Sequence, residues 1–290
     1  MIEQNLPFSD YCAIDAVNNS SLKTFLDCPA RYKWDQDNKE DSDSPAMATG
    51  RLWHTAILEP ENLERDYACL CAETQERLLT EAQAAGSKAK SFSKAIATYK
   101  TWKESQDDRE IITEAELSAA TQGRANVWQG EFKTALQRGE PEMSVVTEYE
   151  SDYGPMMLKG RMDLYDRKTG TIWDVKTTRD ASPEGFGRLA FSYGYIRQAG
   201  FYRLLCELEG LPFEEFRILA IEPTAPFLNA TYSIPKEYTR WGKEVGIAAL
   251  ERLARCREIN DWPGYGDGEL TVPDYAAREI MEDLETMPCN

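Results

Sequence analysis

The chain has 290 residues, 42% of them hydrophobic and 29% charged, and carries a formal net charge of −17. These values predict a soluble globular protein, and no apolar run approaches the roughly 20 residues that a membrane-spanning helix needs. So large an acidic excess argues against nucleic-acid binding through bulk charge, which requires basic residues to displace counterions from phosphates, but it leaves room for a local basic groove.

In chain order, MIEQNLPFSDYC has neither a basic start nor an apolar core, so no secretion signal is expected and a cytoplasmic location follows by default. Asn and Ser in NNSSLKTFLDCPARYKW precede Leu22, Phe25 and Leu26 at helical spacing, which predicts a helix that Pro29 ends or bends. Residues 35–44, DQDNKEDSDS, read as a polar acidic loop. MATGRLWHTAILEPENLERDY reads as a helix stopped near Pro60, and residues 73–138 as mostly helical. Within them, 86–104 carries Lys88, Lys90, Lys94, Lys100 and Lys103, either a DNA-facing patch or a solvated helix face.

The texture changes at residue 139. EMSVVTEYESDYG and MMLKGRMDLYDR alternate like strands around a turn at Gly154 and Pro155, and TIWDVKTT reads as a third strand after Thr169 and Gly170. Ser182 and Pro183 open a long helix that closes at Gly210. FRILAIEP and LNATYSIP read as further strands, KEYTRWGKEVGIAALERLARCREI as a last helix, and the tail as turns followed by helix. This order predicts an α+β fold, a mixed central sheet flanked by helices. It divides into a helical region over 1–138, a core over 139–262 and a tail over 263–290.

Seven cysteines are scattered without a CxxC pair and are read as reduced. Cys69 and Cys71 are read as packing residues in preference to metal ligands. His54 is the only histidine, which excludes a His-rich zinc site.

Asp174 and Lys176 are two apart on a strand and therefore share a sheet face. If the strands pair through the short DRKTG turn, Asp163 lies near Asp174. Two carboxylates about 4 Å apart repel by roughly 4 kcal/mol at an effective dielectric near 20. Lys176 offsets part of this, and a hard divalent cation such as Mg²⁺ offsets it more fully. The same tripeptide alone also fits an ion pair on a solvated strand.

The surroundings narrow that choice. GRMD and WDVKTT, followed by IRQAGFYRLL, resemble the PD-(D/E)XK nuclease superfamily, in its exonuclease VIII (RecE-type) branch, related to the RecB and AddAB nuclease domains. Upstream, SSLKTFLDCPARYKW and ATGRLWHTAILEP resemble that branch's N-terminal and G-x-x-x-H helices, in the same order.

The resemblance implies His54, Asp163, Asp174 and the backbone carbonyl of Val175 as metal ligands and Lys176 as the catalytic lysine. Gln198 and Tyr202 would line the site and meet DNA. Arg161, Arg179, Lys90 and Lys94 are the further substrate-binding candidates. Glu142 and Glu148 are possible extra carboxylates, Glu148 reading better as a solvated strand position. Mg²⁺ is the expected cofactor, with Mn²⁺ able to substitute. Cys28 stands where relatives keep the first cysteine of an iron–sulfur cluster, but no closely spaced trio follows, so no cluster is expected.

The implied activity is in-line hydrolysis of linear double-stranded DNA from the 5′ end, leaving a 3′ tail for a single-strand annealing protein in phage or prophage recombination. An acidic chain would hold DNA best as a trimer or tetramer ring, a homo-oligomer turning Lys88, Lys90, Lys94, Lys159, Arg161, Arg179 and Arg188 inward. An endonuclease of the same superfamily and a non-enzymatic acidic DNA mimic are the alternatives.

Overall fold

The structure, a computed structural model, describes residues 1–4, 6–38 and 44–286. Part of the acidic loop expected over 35–44, and Cys289, lie outside the described residues.

In chain order the elements are β1 (Ile2–Glu3), α1 (Phe8–Ala13), α2 (Asn19–Asp27), α3 (Pro29–Asp37), α4 (Pro45–Leu58), α5 (Leu63–Asp66) and β2 (Tyr67–Leu70). Next come α6 (Ala72–Ala84), α7 (Ala97–Glu104), β3 (Glu110–Thr113), α8 (Glu114–Val127) and α9 (Gly130–Arg138). The core follows as β4 (Glu140–Ser151), β5 (Gly154–Asp166), β6 (Thr171–Thr177), α10 (Pro183–Tyr193), α11 (Tyr195–Leu208), β7 (Glu215–Ile221) and β8 (Asn229–Ile234). Helices α12 (Lys236–Ile259) and α13 (Asp274–Thr286) end it.

The expected α+β class is what forms: six strands in the order β1-β4-β5-β6-β7-β8, with helices on both faces. Only the β6–β7 pair is parallel, so the sheet is mixed. One face packs on α2, α11 and α12 through Phe25, Phe201, Phe216 and Leu250. The other packs on α4, α8 and α9 through Trp53, Ile57, Phe132 and Trp173. Burying each of these large side chains contributes about 2–3 kcal/mol. No described helix is long and apolar enough to cross a membrane.

Local chemistry sets the ends. Asn18 accepts the Ser21 N–H and the Ser21 hydroxyl accepts the Asn18 N–H, a reciprocal cap that fixes the start of α2. Ser44 caps α4, with Pro45 in its first turn.

Three expectations are corrected, and the mostly helical reading of residues 73–138 holds with one strand added. The long helix after Pro183 is two helices, because Gly194 takes a left-handed φ of 76° that closes α10 and turns the chain into α11. The hairpin turn lies at 152–153, since Ser151 pairs with Gly154, so Gly154 and Pro155 are inside β5. Residues 73–138 also contain β3, which pairs in parallel with β2 to make a second, small sheet. Finally, Lys88, Lys90 and Lys94 lie in the irregular segment between α6 and α7, so no helix face presents them.

Candidate active site

Strands β5 and β6 part at the acids. Their ladder ends at Leu164 opposite Trp173. One residue further, the Val175 N–H donates to Oδ2 of Asp163 at 2.6 Å, so a side chain replaces the next rung. On β4, Glu142 sits between the pairs Pro141–Leu164 and Met143–Met162. The two registers therefore set Glu142, Asp163 and Asp174 in one row across three strands. Glu142 holds a left-handed φ of 51°, a conformation that costs a residue with a side chain about 1 kcal/mol or more and concentrates at functional sites.

Helix α4 brings His54 over this row. A methyl group on Gly123 of α8 would lie 2.1 Å from the Trp53 ring, so that glycine lets α4 seat close and fixes its height. The His54 Nε2 is 2.7 Å from the Val175 carbonyl, which can only accept, so Nε2 carries hydrogen. Nδ1 lies 3.6 Å from Oδ2 of Asp163. One ligand atom from each of His54, Glu142 and Asp163 lies within 4.8 Å of the others, a spacing that suits a cation.

From the opposite face, α11 supplies Gln198. Its amide donates to Oδ1 of Asp174 at 2.7 Å. Asp174 is 2% exposed, and its Oδ2 is 2.6 Å from the Lys176 ammonium without hydrogen-bond alignment. The ammonium is the charge that compensates this buried oxygen. Lys176 also lies 5.1 Å from the Tyr195 ring.

Burial pushes the Asp163 carboxyl up to about 7, only partly opposed by His54 and reinforced by Asp174. Burial alone would lower the Lys176 ammonium, but the carboxylates of Asp174 and Asp163 outweigh it and hold its pKa above the usual lysine value. Glu59, at the end of α4, is raised by burial and then by Glu142. A row of carboxylates that resists ionising together is what a divalent cation relieves.

Of the residues singled out in the sequence, His54, Asp163, Asp174, Val175, Lys176 and Gln198 meet here. Tyr202 is 8% exposed and borders a cavity of about 440 Å³ together with Gln198. Its hydroxyl points inward and donates to the Arg161 carbonyl at 2.6 Å. A methyl on Gly160 would lie 2.8 Å from that ring, so the glycine of GRMD is what lets Tyr202 lie on β5.

The basic candidates separate. Arg179 is exposed just beyond β6, and Lys90 and Lys94 are exposed on their irregular segment. Arg161 is held inward, its guanidinium donating to Glu142 and to the Leu6 carbonyl. Lys159 is 5% exposed, and its ammonium donates to the carbonyls of Tyr11, Cys12 and Ile14 at the end of α1. The expectation that Lys159 and Arg161 turn toward bound DNA is corrected, because both side chains are taken up inside the protein.

Glu142, read from sequence only as a possible extra carboxylate, joins the site directly through its bond with Arg161 and its place beside His54 and Asp163. Glu148 is exposed on the same strand, six residues away.

No curated protein matches the chain. A crystal structure described as a "Putative exonuclease" from Eubacterium rectale shares the fold, with a TM-score of 0.57 at 14% identity over 98% of this chain and 100% of that one. The crystal structure of SSO0001 overlaps at a TM-score of only 0.30 and 19% identity, over 74% of this chain and 87% of that one. The family described as "PDDEXK-like domain of unknown function (DUF3799)" matches over residues 18–271. The chain, with its row of acids beside a buried Asp-Lys pair, belongs to that PDDEXK-like family.

Proposed function

We propose that the chain hydrolyses phosphodiester bonds as a divalent-metal-dependent exonuclease on linear duplex DNA, in the RecE-type branch. It degrades one strand from the 5′ end and leaves a 3′ tail for an annealing protein during phage or prophage recombination. The observation that carries the hydrolase reading is the meeting of His54, Glu142 and Asp163 with the Asp174–Lys176 pair where β5 and β6 part. Polarity and the recombination role rest on the resemblance of GRMD, WDVKTT and IRQAGFYRLL to that branch.

His54, Glu142, Asp163 and Asp174, with the Val175 carbonyl, are the groups that would hold the cation. Their carboxylate oxygens suit Mg²⁺, and the imidazole tolerates Mn²⁺. When bound, the cation stabilises charge on a phosphoryl oxygen and lowers the pKa of bound water.

Lys176, whose pKa the Asp174 and Asp163 carboxylates hold above the usual lysine value, offsets charge and donates hydrogen bonds at the site. Asp174 fixes the ammonium, and Gln198 fixes Asp174. Tyr202 braces β5 beneath the acid row through the Arg161 carbonyl. Arg179, Lys90 and Lys94 are exposed cations that can meet the DNA backbone.

Digestion of linear but not circular duplex, in the presence of Mg²⁺, tests the reading. Blocking both 5′ ends with phosphorothioates should prevent digestion and blocking both 3′ ends should not. Nicking or linearising a circle would mark an endonuclease, and no cutting of either would mark a binding protein. We further propose a ring of three or four subunits, because one acidic subunit of 33.0 kDa meets a polyanion unfavourably. Light scattering at micromolar concentration should return three or four times that mass, and a monomer mass removes the ring.

A further inference from the structure

Exposed aromatic side chains gather at the elbow between α10 and α11. Phe191 is 79% exposed and Tyr193 is 50% exposed. Tyr193 lies 5.9 Å from Tyr195, ring to ring, and Tyr195 lies 5.1 Å from the Lys176 ammonium. The aromatic groups thus lead outward from the Asp174–Lys176 pair. Gly194, in its left-handed conformation, makes the bend that puts them there.

Two cations border them. The Lys23 ammonium is 5.8 Å from the centre of the Tyr193 ring. Arg197 folds against Gly194, its Nη2 lying 2.6 Å from where a methyl on that glycine would be. Among the described residues neither Lys23 nor Arg197 has a carboxylate within ion-pair distance. Lys23, Tyr193 and Arg197 line one cleft with Asn19 and Phe201, and those last two also line the 440 Å³ cavity that reaches Gln198. Gln198, at the far end of that cavity, donates to Asp174 of the acid row.

The fold does not account for this arrangement. Phe191 buries little, and a single exposed apolar residue would be ordinary. Tyr193 beside two cations, joined to Lys176 through Tyr195 and preceded on α10 by the exposed Phe191, has the composition of a surface that binds single-stranded nucleic acid. Aromatic faces take unpaired bases there, and cations take the phosphates.

We propose that the α10–α11 elbow is a stacking platform for single-stranded DNA, with unpaired bases on Phe191 and Tyr193 and the strand's phosphates on Lys23 and Arg197. Paired bases in a duplex are stacked on one another and offer no free face, so the platform selects frayed ends and unpaired strands. Every base has a π-face, so binding is indifferent to sequence. The position of the platform gains its meaning from the nuclease reading, but its binding chemistry does not depend on hydrolysis.

The test uses the whole chain in EDTA and a short oligothymidylate carrying one 2-aminopurine, whose fluorescence falls when it stacks. The wild-type chain should bind it and quench it. Phe191→Ala and Tyr193→Ala should each weaken binding about tenfold and reduce the quenching, while Phe191→Trp should retain both. Lys23→Glu should flatten the salt dependence of affinity. Unchanged affinity and quenching in both alanine variants overturns the platform, as does a change in oligomer mass with no change in oligonucleotide affinity, which would make the elbow a contact between copies. Quenching that depends on Phe191 in a chain that cuts no DNA keeps the platform and removes the nuclease. Digestion of linear duplex by a chain whose elbow variants bind oligonucleotide normally does the reverse.

Discussion

Asp174→Ala and Lys176→Ala are each expected to slow Mg²⁺-dependent digestion of linear duplex by about a thousandfold, measured under single turnover. Removing one preorganised charge at a phosphoryl-transfer site typically removes 10²–10³ of rate, and Asp174 also orients Lys176. The two substitutions should differ in stability. Lys176→Ala leaves Asp174, 2% exposed, with only the Gln198 amide beside it. Stranding a buried charge of that kind costs about 3 kcal/mol in the absence of a cation. Asp174→Asn keeps an acceptor for Gln198 and is the variant that separates chemistry from folding. A Lys176→Ala protein that digests DNA at the normal rate would remove the proposed function.

In chelator, the chain is expected to become less stable as pH rises from 5 to 8. Burial holds the folded-state Asp163 at about 7, against about 3.9 in an unfolded chain. Between those values the folded state keeps a proton that the unfolded state has released. Stability is then highest at the acid end of the window and falls as pH approaches 7, by roughly 3 kcal/mol if Asp163 acts alone. A divalent cation binds the ionised row, so Mg²⁺ should restore stability at pH 8 and do little at pH 5. At a concentration a hundred times its Kd it contributes about 2.7 kcal/mol. Urea midpoints at both pH values, with and without Mg²⁺, give the comparison. Equal Mg²⁺ responses at pH 5 and pH 8, or an Asp163→Asn variant that keeps the pH slope, count against the site.

Much of the site was legible because its determinants are local. The alternation of TIWDVK puts Asp174 and Lys176 on one face, and the structure shows them 2.6 Å apart. The short turn before Gly170 brings Asp163 toward them, although the contact runs from its carboxylate to the Val175 N–H and not to Asp174.

What stayed hidden depends on register and on distant partners. A hairpin turn at Gly154–Pro155 would set Asp163 opposite Val146, whereas the true turn, two residues earlier, sets it opposite Glu142. Nothing in the residues around Glu142 announces its left-handed backbone. Lys159 reads as a solvent-facing cation on an alternating strand, and only the fold brings to it the carbonyls of α1, 145 to 148 residues away in sequence. The break within 183–210 is set by the left-handed φ of Gly194, and a glycine within a helical pattern does not by itself announce such a turn.

The inward direction of Lys159, Arg161 and Lys176 has a kinetic consequence. Arg161 and Lys176 pair with acids of the row itself, and Lys159 is taken up by carbonyls at the end of α1, so each is engaged by protein groups. An approaching duplex meets mainly the exposed acids of a chain whose net charge is −17. Its first encounter is therefore repulsive over a Debye length, about 30 Å at 0.01 M salt and about 8 Å at 0.15 M. Moderate salt shortens that repulsion before it weakens contacts already formed at close range. The association rate with DNA should therefore climb as salt is first added and decline only at higher ionic strength, opposite at the outset to a protein that draws DNA in by its overall charge.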